Sequence, residues 1–93
     1  MKTIYKYDLD LGHINRVQIP KGAEILCVQS QKQASKEVPC LWAIVDTDAP
    51  TTYRRFFIFG TGEAMNPEYP LTYIGTFQLK AGALVYHVFE EKF

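Results

Sequence analysis

Arg54 and Arg55 stand ahead of the apolar run FFIF, which breaks at Gly60-Thr61-Gly62 and closes on Asn66-Pro67. A glycine turn can present successive backbone N–H groups as an anion-binding concavity, and a threonine hydroxyl adds a donor. Guanidinium is the side chain suited to bidentate phosphate contact. Tyr69, held between breakers in NPEYP, and Tyr73 offer faces on which a base can stack. The chemistry this grouping predicts is capture of an anionic, nucleotide-sized ligand near Arg54, Thr61 and Gly62. Arg55 and His87 are further candidate contacts, with Tyr69 or Tyr73 beside the base. Two features oppose it. GTG lacks the GxxxxGK[ST] and GxGxxG spacings of nucleotide folds. Adjacent strand residues also face opposite sides, so one phosphate meets only one of the two arginines. The plainer alternative is a turn that ends a strand, with the arginine solvated. On the binding view, Arg54→Ala lowers affinity and leaves stability alone, and Arg54 on the opposite face from Thr61 favours a protein-interaction module instead.

The remaining chemistry-bearing residues are sparse. His87 alternates with Val85 and Phe89 along an apolar strand face, where a hydrogen-bonded, partly buried imidazole is the simpler expectation. Asp46 and Asp48 in VDTDAP lack a third acidic ligand at calcium-loop spacing, which leaves turn capping as their role and no metal site expected. Cys27 and Cys40 sit among apolar neighbours without CxxC spacing, as small core thiols do. Neither lies in a cationic setting that would activate it, and no serine elbow or HExxH is present. The expectation is a protein without catalysis and without a cofactor, with a minor hydrolase as the alternative.

These residues must be positioned by strands. Apolar and polar residues alternate in short runs bounded by Gly, Pro, Asn and Asp, and no stretch keeps helical spacing over 12 residues. The pattern predicts an all-β fold of about seven short strands in a compact antiparallel sandwich or partly closed barrel, with negligible helix. The strands are placed at 3–8, 15–19, 24–30, 38–46, 53–60, 71–79 and 83–90. The first three are expected to form a meander, with Pro20 to Ala23 as a hairpin link, and 31–38 to be a polar loop. The fourth strand is expected to be central and the last two a hairpin through Lys80-Ala81-Gly82. The predicted core is Leu26, Val28, Leu41, Ala43, Val45, Phe56, Ile58, Ile74, Leu84 and Val88. Trp42 is expected on the other face of its strand, also covered.

The chain has 93 residues, enough for one domain with a modest core. Ten basic and ten acidic residues cancel, which argues against binding long nucleic acid. No run approaches the roughly 20 apolar residues of a membrane span, and MKTIYKYDLD does not read as a signal peptide, so a cytoplasmic protein is expected. Strands apolar on both faces predict a homo-oligomer, most simply a dimer.

LWAIVDTDAP, the Arg54 to FGTG stretch, YIGTFQ and ALVYHVFE together resemble a family of small proteins encoded by tailed phages and prophages. MKTIYKY and IPKGAEIL extend the likeness over most of the chain, while QKQASKEVP departs from it. The resemblance implies a viral context, in which small proteins block host defence by binding a protein or sequestering a nucleotide signal. A cyclic or ADP-ribose-like nucleotide held between subunits is one expectation. A module that inhibits a host defence factor or assists virion assembly is the other.

Overall fold

The computed structural model describes residues 1–12, 14–66, 68 and 70–92. The alternating runs form seven strands: β1 (Lys2–Asp8), β2 (Ile14–Pro20), β3 (Glu24–Gln33), β4 (Lys36–Asp46), β5 (Thr51–Gly60), β6 (Leu71–Leu79) and β7 (Leu84–Glu91). Among the described residues the sole helical element is a turn at Lys80–Gly82, and no helix is long and apolar enough to cross a membrane.

The strands make two antiparallel sheets, one ordered β1-β4-β3 and the other β2-β5-β7-β6. Leu41, Ala43 and Val45 on β4 and Val28 on β3 face Val17, Ile19, Phe56, Ile58, Phe77, Leu79 and Val88 of the second sheet, and all are buried. The result is an all-β sandwich. Strand β4 is central in its sheet, as its apolar sequence predicts.

The expected meander does not form. β1 pairs with β4 and β2 pairs with β5, so the Pro20 to Ala23 turn passes the chain between sheets instead of closing a hairpin. Alternation fixes which side chains point inward; it does not choose a strand's neighbour. The segment expected as a polar loop is a hairpin instead: β3 runs to Gln33, β4 starts at Lys36, and Gln33 pairs with Lys36. The two-residue turn needs a left-handed backbone, which Ala34 supplies at φ 56°. Its polar side chains reflect solvent exposure, not absence of strand.

A bulge accounts for one error in the predicted core. Between Ile25 and Cys27 the register slips, so Ile25 and Val28 point inward while Leu26 and Cys27 both face outward. Leu26 is consequently exposed. A second slip lies between Tyr73 and Gly75, where Ile74 is half-buried and packs against the core as predicted. Leu84 lies exposed at the hairpin rim, and Trp42 is half-buried on the outer face of β4.

The β6–β7 hairpin forms as expected. Its turn is tighter than one glycine requires: Lys80, Ala81 and Gly82 all have positive φ, at 52°, 54° and 90°. The Lys80 backbone N–H donates to Glu37 Oε1 at 2.7 Å, tying the turn to the other sheet. Strands β5 and β6 are both antiparallel to β7 and therefore parallel to each other. On the outer face of this sheet Phe57 and Phe59 are buried, at 4% and 8% exposure.

Candidate functional site

Arg54 shares a strand face with Phe56, so it points into the end of the sandwich. Its Nη2 donates to Glu90 Oε1 at 2.7 Å, its Nε donates to Glu90 Oε2, and its Nη1 donates to the Ala23 carbonyl. Arg55 faces the other way, forming an ion pair with Glu91 at 3.1 Å and lying over the Phe57 ring at 5.5 Å. Each arginine therefore has a carboxylate of its own.

The glycine turn is likewise engaged by its own chain. Gly62 is left-handed at φ 88°. The Gly60 N–H donates to Glu63 Oε1 at 2.9 Å, the Thr61 N–H to the Val85 carbonyl at 3.1 Å, and the Glu63 N–H to the Gly60 carbonyl at 3.0 Å. A carboxylate from the turn thus occupies one of the donors that a phosphate would use.

Three predicted residues do meet on the outer face of the four-stranded sheet. Thr61 Oγ1 lies 2.8 Å from His87 Nε2, His87 Nδ1 lies 3.0 Å from Thr76 Oγ1, and Thr76 Oγ1 lies 2.6 Å from the Tyr73 hydroxyl. One donor order satisfies every member. Tyr73 donates to Thr76, Thr76 to Nδ1, Nε2–H to Thr61, and Thr61 to the Val85 carbonyl at 3.3 Å. In this order the His87 ring donates through Nε2 and accepts at Nδ1. Tyr73 is 56% exposed, with its ring edge-on to Phe89 at 5.5 Å between centroids. Beside the turn, Gly60, Thr61 and Ala83 to Tyr86 line an open groove of about 290 Å³.

The seven candidates divide accordingly. Thr61, Tyr73 and His87 form one cluster; Arg55 shares their face but is paired with Glu91. Arg54 lies on the opposite face from Thr61, Gly62 belongs to the turn, and Tyr69 is outside the described residues. Sequence reasoning missed Thr76, which joins Tyr73 to His87. It also missed Glu90 and Glu91. Their signal was available: two adjacent arginines and two adjacent glutamates sit at corresponding ends of strands that pair antiparallel.

A profile of the family described as Domain of unknown function (DUF7352) matches residues 1–93. The chain belongs to the DUF7352 family. No curated protein and no solved structure matched it.

Elsewhere on this DUF7352 chain, Asp46 and Asp48 act within a turn. The Asp48 N–H donates to Asp46 Oδ1 at 3.0 Å, and the Met1 amine lies 2.9 Å from Asp48 Oδ2. Among the described residues no group of three His, Cys, Asp or Glu is placed to hold a metal ion. Cys40 is buried beneath Asp8, Gln31 and Gln33, and burial, reinforced by the Asp8 carboxylate, pushes its thiol up. A thiol so shifted is a poor nucleophile at neutral pH.

The outer face also carries an exposed aromatic pair that no motif announced. The Arg16 guanidinium stacks 4.6 Å from the centroid of Tyr53, which is 54% exposed, and Ile14, two residues before Arg16 on the same strand face, is 48% exposed.

Proposed function

We propose that this DUF7352 protein is a non-catalytic protein-interaction module, of the kind by which a phage-encoded protein inhibits a host defence factor or assists virion assembly. The observation that carries this reading is the Arg16–Tyr53 pair. Tyrosine and arginine dominate binding energy at protein interfaces, and here each restrains the other before any partner arrives, which lowers the entropy lost on docking. Ile14 supplies adjoining apolar surface. The phage context comes from the sequence resemblance. Quantitative capture from lysate of a bacterial host, comparing the wild-type chain with an Arg16→Ala/Tyr53→Ala variant of equal thermal midpoint, tests the reading. A single host protein retained by the wild type and reduced about tenfold or more by the variant is the expected result. Equal retention by both chains refutes it.

The Tyr73–Thr76–His87–Thr61 chain favours a second reading, sequestration of a small cyclic or ADP-ribose-like nucleotide. Tyr73 gives a stacking face and Thr76 and His87 give polar edges, but the cation for the phosphate would have to come from Arg55 released by Glu91, or from another subunit. Calorimetry against cyclic dinucleotides and ADP-ribose tests this. Binding abolished by Tyr73→Ala supports it, and no heat with any ligand removes it.

A further inference from the structure

On the outer face of the four-stranded sheet Phe57 and Phe59 are buried, while Ile14, Tyr53 and Tyr73 are exposed. On the three-stranded sheet the apolar residues stay open: Ile4 is 56% and Leu26 42% exposed, and Trp42, Ile44 and Cys27 are half-buried. The pairing sets them in adjacent rows, Ile4–Ile44–Glu24 and Lys6–Trp42–Cys27, with the bulged Leu26 between.

We propose that a second copy of this chain docks here, sheet against sheet, about a two-fold axis parallel to β4. Charge complementarity selects both occupant and axis. On the β1 side Lys2 stands beside the Ile4 row, opposite Asp46, while the Lys6 ammonium reaches across to Gln31 Oε1 at 2.7 Å, and the β3 side of the row ends in Glu24. Rotation about an axis along β4 exchanges the two sides, so β1 of each copy faces β3 of the other. Each Glu24 then comes beside Lys2 of the opposing β1. An in-plane axis across the strands would instead stack β1 on β1 and set lysine against lysine. The chosen axis also keeps the strand directions of the facing sheets aligned, as packed sheets prefer.

Two-fold contacts repeat every interaction, so the Ile4, Leu26, Trp42 and Ile44 patch is buried twice over.

The inference goes beyond the proposed function and uses none of its residues. Sedimentation equilibrium on the intact chain is the test. The wild type is expected to be a dimer, and Ile4→Glu, at an exposed position, to weaken association about tenfold or more with its thermal midpoint unchanged. Lys2→Glu should weaken it, and Lys2→Glu/Glu24→Lys should restore it by re-forming the pairs with reversed sign. A wild-type monomer at high concentration, or a dimer indifferent to Ile4→Glu, overturns the interface. Failure of the double reversal to restore association overturns the axis. Arg16→Ala/Tyr53→Ala should leave the dimer intact, so loss of this interface and loss of host-protein capture are read separately.

Discussion

A guanidinium with only 22% of its side chain exposed, facing a carboxylate at 16%, is held in place chiefly because either charge alone would be costly. Arg54→Ala should therefore lower stability by about 2–3 kcal/mol, since it strands Glu90 and frees the Ala23 carbonyl. Denaturant unfolding measures this, and the double variant Arg54→Ala/Glu90→Ala should recover part of the loss. A variant as stable as the wild type would restore Arg54 to the pool of available ligand contacts. The sequence displayed the arginines and the glutamates but not their distance, because the strands that join them lie 36 residues apart at Arg54 and Glu90. Cys40 makes a second residue-level prediction. Its thiol is raised in the folded state, so its contribution is complete below the unfolded value of about 8.5 and is lost as pH rises through the folded value. The stability of the wild type relative to Cys40→Ala should fall between neutral and alkaline pH. In parallel, a thiol-alkylating reagent followed by mass spectrometry should label half-buried Cys27 of the dissociated Ile4→Glu chain well before fully buried Cys40.

At the scale of elements, the two sheets approach most closely where β6 crosses β3. A Cβ built on Gly75 would lie 3.0 Å from Val28 Cγ2, tighter than ordinary side-chain packing allows. Gly75→Val should cost about 1–3 kcal/mol by forcing Val28 or the bulge to shift. Val28→Ala in the same chain should return part of it, and thermal unfolding of the two variants makes the comparison. If Gly75→Val is neutral, the bulge yields more readily than its geometry implies. The strands themselves were legible: Leu71–Leu79 was predicted to the residue, because Gly, Pro and polar breakers bound it on both sides. The bulges were not, since an inserted residue shifts the alternation without altering composition. That is why Leu26 was assigned to the core in place of Ile25.

For the whole molecule, the core depends on β4 delivering Leu41, Ala43 and Val45 to one side, with Val45 1% exposed. Val45→Asp puts a carboxylate where no partner or water reaches it and should unfold the chain, seen as loss of the cooperative thermal transition. A variant keeping its midpoint would mean that β4 faces the other way. The inward set on β4 and β5 could be read from period-two alternation, and so could the sandwich class. Which strands pair could not, because every run from β1 to β3 has the same binary pattern and local sequence rewards a meander. The observed order instead unites residues far apart in sequence.

The placement of β7 has a consequence for how the protein is made. It follows the other six strands in chain order, yet it lies inside its sheet, between β5 and β6. Until it emerges, β5 is an open edge presenting four successive apolar side chains, Phe56 to Phe59, that are all buried in the finished fold. The nascent chain must therefore hold its most adhesive strand, paired with β2 on one side only, open along its other edge until β7 arrives, and a ribosome that stalls before Leu84 releases a polypeptide prepared to aggregate rather than a smaller folded one.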